Sequence, residues 1–242
     1  MTQVTLDGHV ALVTGASGGV GRATAIALAR EGVEVYAAAR PETALRELAS
    51  EASSIHAVPC DATERTDVDR VVAALRERHD RLDLLVCAAG MNIPRLQLAE
   101  LSLADWRRVM ETNVTATFNA VQACLPLLRA ASGLVIIVGS VSAAWPDASG
   151  GAYQASKQAI LGLAHALALE ESQVRVSVIL PGITATPLLE ARLEPPPAEV
   201  RAGALQAHDV AEVCLFLARL HPRVCIPELV VLPSALQQIG GL

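Results

Sequence analysis

His9-Val10-Ala11-Leu12-Val13-Thr14-Gly15-Ala16-Ser17-Gly18-Gly19-Val20-Gly21, followed by the alanine- and leucine-rich stretch Arg22 to Arg30, decides the fold of this chain. His9 to Val13 is a short apolar run and reads as a strand buried on both faces. The run from Arg22 reads as helix. Strand, glycine turn and helix in that order form the context that a dinucleotide phosphate loop requires. Glycine lets the backbone turn tightly and approach a pyrophosphate. The start of the helix adds unpaired N–H groups and the positive end of its dipole. The spacing is Gly-x-x-x-Gly-x-Gly rather than the G-x-G-x-x-G fingerprint. The plainer alternative is an ordinary turn and helix cap, but glycine at this density is costly in regular structure.

Beyond this unit, strands and helices alternate. Strands are expected near Val10–Val13, Glu34–Ala38, Ile55–Val58, Leu84–Cys87, Leu134–Val138, Arg175–Ile179 and Glu228–Leu232. Helices are expected near Val20–Glu31, Thr43–Ala52, Arg65–His79, Leu103–Ala130, Tyr153–Glu171 and Ala207–Leu220. The alternation predicts an α/β fold: a Rossmann-like, doubly wound parallel sheet of about seven strands, with helices on both faces and ligands along the carboxyl ends of the strands. No repeat or linker divides the chain, so residues 1–242 read as a single domain. Pro195-Pro196-Pro197 is too short for a linker and reads as a stiffened loop.

Composition narrows the class. Apolar residues make up 52% of the 242 residues and aromatics only 2%, so the core is built from Ala, Val, Leu and Ile. The net charge of −6 and the lack of a basic run argue against a nucleic-acid partner. No apolar run approaches the ~18 residues of a membrane span. Met1 to Gly8 are polar and lack a signal-peptide core. Cys60, Cys87, Cys124, Cys214 and Cys225 are odd in number and lie mostly in apolar runs, which reads as reduced core residues of a cytoplasmic protein. No Cys or His spacing suggests a metal site.

The second informative stretch is Ser140…Tyr153-Gln154-Ala155-Ser156-Lys157. Tyrosine and lysine at this spacing share one face of a helix, a turn apart. A free phenol, with a pKa of about 10, exchanges protons poorly at neutral pH. A neighbouring ammonium favours the phenolate, and bringing the phenol near neutrality takes ~4 kcal/mol of such stabilisation. With a serine hydroxyl to hold the reacting oxygen, the set reads as acid–base chemistry on a carbonyl or an alcohol. An isolated Tyr-x-x-x-Lys pair is also what a solvated helix face produces.

Taken together, these motifs resemble the short-chain dehydrogenase/reductase family from about Leu6 to Leu232. Thr14-Gly15-x-x-x-Gly19-x-Gly21 is similar to that family's cofactor loop. Asn113, Ser140, Tyr153 and Lys157 fall at its catalytic positions, and Pro181-Gly182-Ile183-Thr184-Ala185-Thr186 at the segment that closes over the nicotinamide. Cys87-Ala88-Ala89-Gly90 stands where the family carries Asn-Asn-Ala-Gly, so side-chain bonds made there in relatives must be lost or replaced. The resemblance implies that Gly15, Ser17, Gly19, Val20, Gly21, Arg40, Asp61, Ala62, Ala89 and Gly90 hold a dinucleotide. Tyr153, Lys157, Pro181, Gly182, Ile183 and Thr186 complete that set. It further implies that Tyr153 exchanges the proton, that Lys157 lowers its pKa and holds the ribose, that Ser140 binds the substrate oxygen, and that Asn113 kinks its helix and relays protons through water. On the residues alone, Asn113 could be a tolerated polar group on an exposed face, and Ser140 a loop hydroxyl bonded to its own backbone.

The second strand ends Ala37-Ala38-Ala39-Arg40, with no acid to accept from a ribose 2′-hydroxyl and a guanidinium suited to a 2′-phosphate. NADP(H) is therefore expected over NAD(H), although Gly18 stands where many NADP-preferring relatives carry a basic residue. Asp61 matches the family's adenine-contacting acid, or else caps the next helix, a task Thr63 would equally perform. Met91, Ile93, Trp145, Leu188 and Leu189 suggest an apolar pocket for a small ketone or secondary alcohol, with Arg95 and Arg192 within possible reach. The resemblance also implies a homo-oligomer, tetramer or dimer. The small face Ala155, Ala159, Gly162, Ala166 fits close helix approach, or packing on the chain's own sheet. The alternatives are an NAD-dependent alcohol dehydrogenase of the same family, a non-redox lyase on this scaffold, which the intact Lys157 and glycine loop disfavour, or a cofactor-binding regulator without turnover.

Overall fold

The computed structural model describes residues 4–94, 97–190, 193 and 196–235. In chain order the first half runs β1 (Val10–Thr14), α1 (Gly19–Arg30), β2 (Glu34–Ala39), α2 (Glu42–Ala49), β3 (Ile55–Pro59), α3 (Arg65–Arg76) and β4 (Leu84–Cys87). The second half runs α4 (Leu103–Met110), α5 (Ala116–Ala131), β5 (Leu134–Val138), α6 (Gly151–Glu170), β6 (Arg175–Pro181), β7 (Thr184–Ala185), α7 (Pro187–Glu190), α8 (Ala198–Ala202), β8 (Leu205–Gln206), α9 (Ala207–Ala218) and β9 (Glu228–Val231).

A seven-stranded, wholly parallel sheet has the order β3-β2-β1-β4-β5-β6-β9, as the alternation predicts. The winding reverses between β1 and β4, and Thr14 pairs with Cys87 at the carboxyl end of that switch. Such a switch opens a crevice beyond the strand ends. All five residues of β1 are buried because helices cover both faces. Val10 and Leu12 point into a core shared with α3, α5 and α6, whereas Ala11 and Val13 point into one shared with α1, α2 and α9. Four of the cysteines are buried thiols and Cys225 is exposed.

The chain departs from the expected elements in two places. The helix expected over Leu103–Ala130 is divided by a π-helical turn at Glu111–Thr115, which places Asn113 at its centre. No element is expected between Ile179 and Ala207, yet the segment contains β7 paired with β8, and helices α7 and α8. These pieces span little more than one period of a hydrophobic pattern, so periodicity does not reveal them. Pro197 stands at the start of α8, and Pro195 lies outside the described residues.

Two close approaches explain the glycine loop. A Cβ on Gly15, whose φ is +70°, would lie 2.6 Å from Ala89 N. A Cβ on Gly21 would lie 2.3 Å from Gly15 O, so α1 seats directly on the loop that precedes it. At Gly18 a Cβ meets nothing within 4 Å. Gly21→Ala is therefore expected to cost ~1–3 kcal/mol or more through overpacking, while Gly18→Ala stays near wild type; urea unfolding of both variants checks the contrast.

Candidate active site

A cavity of about 520 Å³ runs along the carboxyl ends of the strands. Gly15, Ser17, Gly19 and Val20 form one stretch of its wall, with Arg40, Asp61 and Ala62 beyond the ends of β2 and β3. Ala89 and Gly90, after β4, lie in the middle. Ser140, Tyr153 and Lys157 face Pro181, Gly182, Ile183 and Thr186 at the other end. Two of the expected residues are not on the wall. Gly21 lies beneath the loop, as its contact with Gly15 shows, and Asn113 is fully buried behind Gly90.

Tyr153 and Lys157 lie on the inner side of α6, 9% and 4% exposed. Lys157 Nζ sits 5.4 Å from the centroid of the Tyr153 ring and donates to Val138 O, at the end of β5, at 3.0 Å. Burial pushes the Lys157 ammonium down to about 8. An ion in a dry setting is costly to keep, so its neighbours feel an electric field that a solvated lysine would not exert.

Asn113 is not on an exposed face. Its Oδ1 accepts from Met91 N at 2.7 Å, and its Nδ2 donates to Met91 O at 3.0 Å and to Ser156 Oγ at 2.9 Å. Ser156 Oγ in turn donates to Tyr153 O at 2.7 Å. One buried amide thus ties the segment after β4 to the turn of α6 that carries Tyr153 and Lys157. The π turn swings Asn113 into this position, and π turns recur at functional sites.

Ser140 follows β5 in extended backbone, and its Oγ accepts from Ser142 N at 3.2 Å. The reading as a loop hydroxyl bonded locally is therefore correct, and it coexists with a place on the cavity wall. Ser142, Asp147 and Ser149 also line this end. The sequence offers Ser142 as a near neighbour of Ser140 without the family spacing, and it hides Asp147 and Ser149, although Asp147-Ala148-Ser149 carries a turn signal in which an aspartate accepts from the backbone two residues on.

The expected apolar pocket needs correction. Leu188 and Leu189 line the cavity, but Ile93 is buried in a small cluster with Val109 and Ala152, and Met91 packs against it. Trp145 is not part of the wall. Arg95 and Arg192 lie outside the described residues. At the opposite end the Arg40 side chain is 66% exposed, its Nη1 3.9 Å from Asp61 Oδ2. Asp61 does not cap α3. Its Oδ1 accepts from Thr63 N at 3.0 Å and from Thr63 Oγ1 at 2.7 Å, and Glu64 occupies the cap position. Among the described residues, no group of His, Cys, Asp and Glu side chains is placed to hold a metal ion.

Known proteins share this fold. The profile of the family described as short chain dehydrogenase matches residues 9–196. L-fucose dehydrogenase of Oryctolagus cuniculus is 34% identical over 224 residues, which cover 87% of this chain and 79% of that protein. Among solved structures, an alcohol dehydrogenase from Thermococcus sibiricus complexed with 5-hydroxy-NADP superposes with a TM-score of 0.86 at 27% identity, covering 93% of this chain and 97% of that one. A 3-ketoacyl-(acyl-carrier-protein) reductase from Brucella melitensis complexed with NADH gives a TM-score of 0.85 at 25% identity, covering 93% and 97%. The parallel sheet, the glycine loop and these likenesses lead to one conclusion: the chain belongs to the short-chain dehydrogenase/reductase family of oxidoreductases.

Proposed function

We propose that this oxidoreductase moves hydride between NADP(H) and a small, uncharged ketone or secondary alcohol, with Tyr153 as general acid and base. The observation that carries the reading is the buried Lys157 ammonium against the Tyr153 ring, on one cavity wall with Ser140. The groove suits a dinucleotide. A Cβ at Gly19 would come 3.4 Å from Thr186, and one at Gly90 would come 3.7 Å from Lys157 Nζ, so bare backbone keeps the passage open from the loop to the ammonium. When bound, the dinucleotide supplies or accepts the hydride.

The chain's own groups handle the proton. In reduction the Tyr153 hydroxyl gives its proton to the substrate oxygen, and in oxidation the phenolate takes one back. Lys157 stabilises that phenolate. Ser140 hydrogen-bonds the same oxygen as charge shifts onto it. Asn113 is a positioning residue that fixes Met91 and Ser156 on either side. Gly15, Ser17, Gly19, Val20 and Gly21 would hold the pyrophosphate at the start of α1, and Ala89 and Gly90 with Pro181 to Ile183 and Thr186 would flank the nicotinamide. Asp61 and Ala62 would border the adenine. The mixed wall of Leu188, Leu189, Ser142 and Asp147 supports a substrate without negative charge rather than a purely apolar one.

Arg40 supports NADP(H), since its guanidinium is exposed at the groove and matches a phosphate dianion. The NAD(H) alternative draws on Asp61, whose carboxylate offsets part of that charge at 3.9 Å. We read residues 1–242 as one domain, and the five free cysteines support a reducing, cytoplasmic setting. No helix of the described residues is long and apolar enough to cross a membrane. On α6, Gly162 and Ala166 are exposed and Ala155 and Ala159 half-buried, so this face does not pack on the chain's own sheet. Exposed Phe118 on α5 adds to it, which supports a homo-oligomer, tetramer or dimer.

Three outcomes are expected. Tyr153→Phe lowers kcat/KM by about 10²–10⁴-fold in a nicotinamide-absorbance screen of ketones and alcohols, with dinucleotide affinity, measured in parallel, falling far less. Tight binding without turnover by the wild type on a broad panel would instead favour a regulator. Arg40→Ala lowers the ratio of NADPH to NADH affinity by about 10-fold or more, the worth of a charge-assisted hydrogen bond; an unmoved ratio removes the NADP argument.

The third outcome concerns pH. Below about 8 the folded free protein keeps the Lys157 proton at full desolvation cost. Between there and the ordinary value of 10.5, the folded protein sheds the proton while the unfolded chain keeps it, so this contribution to stability rises with pH. The buried thiols act oppositely, since burial pushes Cys60 up to about 11 and Cys124 and Cys214 up to about 12. Comparing Lys157→Met with wild type by urea unfolding isolates the lysine: the stability difference should move in favour of wild type by about 2–3 kcal/mol between pH 7 and 10.

A further inference from the structure

Ser140 stands at the end of a short chain of hydroxyls that terminates in a carboxylate. Ser142 Oγ donates to Asp147 Oδ2, and Ser149 Oγ donates to Asp147 Oδ1. Ser149 N donates to the same Oδ1 at 2.9 Å, and Ser149 Oγ lies 3.1 Å from Ser142 Oγ. Ser140 Oγ lies 3.0 Å from Ser142 Oγ and accepts from Ser142 N at 3.2 Å. Ser142 and Ser149 are buried, Asp147 is half-buried, and all three reach the cavity wall beside Ser140.

Counting protons fixes the direction of the chain. A carboxylate has none to give, and each serine hydroxyl has one. Hydrogen bonds to a carboxylate are the stronger kind, so Asp147 claims the protons of Ser142 and Ser149. Ser142 Oγ is then an acceptor toward Ser140, and the contact between them is completed by the Ser140 proton. With its proton turned inward and one lone pair held by Ser142 N, Ser140 Oγ has a lone pair left for the cavity.

The geometry points to Asp147 as a positioning residue: acting through Ser142, it turns the Ser140 hydroxyl so that the substrate-free site presents an acceptor, which selects an alcohol over the corresponding ketone. The inference rests on the proposed role of Ser140 at the substrate oxygen. While Tyr153 keeps its own proton, an alcohol O–H donates to Ser140 as it stands; during hydride transfer that O–H turns to the phenolate and Ser140 rotates to donate. A carbonyl oxygen needs the Ser140 proton to swing outward, which leaves Ser142 Oγ only the Ser149 proton, 3.1 Å away and already shared with Asp147 Oδ1.

Asp147→Asn tests this with little change of shape. The amide oxygen is held at the Oδ1 position by Ser149 N, so the amide NH₂ replaces Oδ2 and faces Ser142 Oγ. The Ser142 proton is then free to turn to Ser140, and the Ser140 proton is sent into the cavity. Two abortive complexes that cannot turn over give the readout by calorimetry: cyclohexanol with enzyme and NADPH, and cyclohexanone with enzyme and NADP⁺. The ratio of ketone to alcohol dissociation constants should fall about 3- to 10-fold in Asp147→Asn, the worth of one hydrogen bond. Ser142→Ala should lower it similarly, and Asp147→Asn should add nothing in that background. Dinucleotide affinity, measured in parallel, reports that each variant keeps its fold. The inference is overturned by an unmoved ratio, including undetectable binding of both probes throughout, or by an equal effect of Asp147→Asn with and without Ser142. Because binding alone is read, failure of hydride transfer in a separate turnover assay would sink the proposed activity and leave this result standing.

Discussion

A positive charge kept out of water organises this molecule. The Lys157 ammonium, 4% exposed, resists its surroundings, and burial alone lowers its pKa to about 8. Structure on several sides holds it in place. The end of β5 supplies a carbonyl, α6 supplies the Tyr153 ring, and the bare Gly90 backbone leaves room beside Nζ. Behind them the Asn113 amide bonds two separate segments at once. Each part is positioned by the parallel sheet, whose strands end at the same level and deliver their following loops to one crevice. An ammonium in this setting acts on neighbouring charge far more strongly than one in solvent.

The two ends of the cavity follow different logic. At the loop end, the character of the wall is a matter of absent side chains, since glycine lets α1, its loop and the segment after β4 touch through backbone. At the other end it is a matter of surplus polar groups, because Ser140, Ser142, Asp147 and Ser149 share protons within a few residues of chain. Such a network is worth more than isolated contacts when every member is satisfied. Between the two ends lie small apolar residues and bare backbone, Ala88 to Gly90.

Much of this was legible in the sequence because it is local. Strand β1, the glycine loop and α1 are contiguous, and their pattern changes from apolar run to glycine to alanine-rich helix within a few residues. Tyr153 and Lys157 are a helical turn apart, so their shared face follows from helix geometry. The seven strands announce themselves as apolar runs because both faces are covered. What stayed hidden depends on contacts distant in sequence or on elements too short to repeat a period. On the residues alone the place of Asn113 stayed open, because its partners, Met91 and Ser156, lie on other elements, and only the family resemblance marked it for the site. Met91 and Ile93 are apolar enough for a pocket, and only packing against Val109 and Ala152 shows that they belong to a core. Asp147 offered only a turn signal, and its importance comes from the serines that the turn gathers round it.

The π turn at Glu111–Thr115 has a consequence for the lineage of this chain. Such a turn is an α-helix carrying one surplus residue. A single-codon deletion anywhere in that turn would restore ordinary winding, and it would do so silently as far as helical content is concerned. Yet everything on one side would rotate by about 100° against the other. Either Asn113 would leave its pocket, or the inward row Ala116, Ala120 and Cys124 would trade places with outward residues such as Phe118. Loss of one residue there therefore costs either the Asn113 bonds or the packing of α5, and the surplus residue sets the phase between the core and the site.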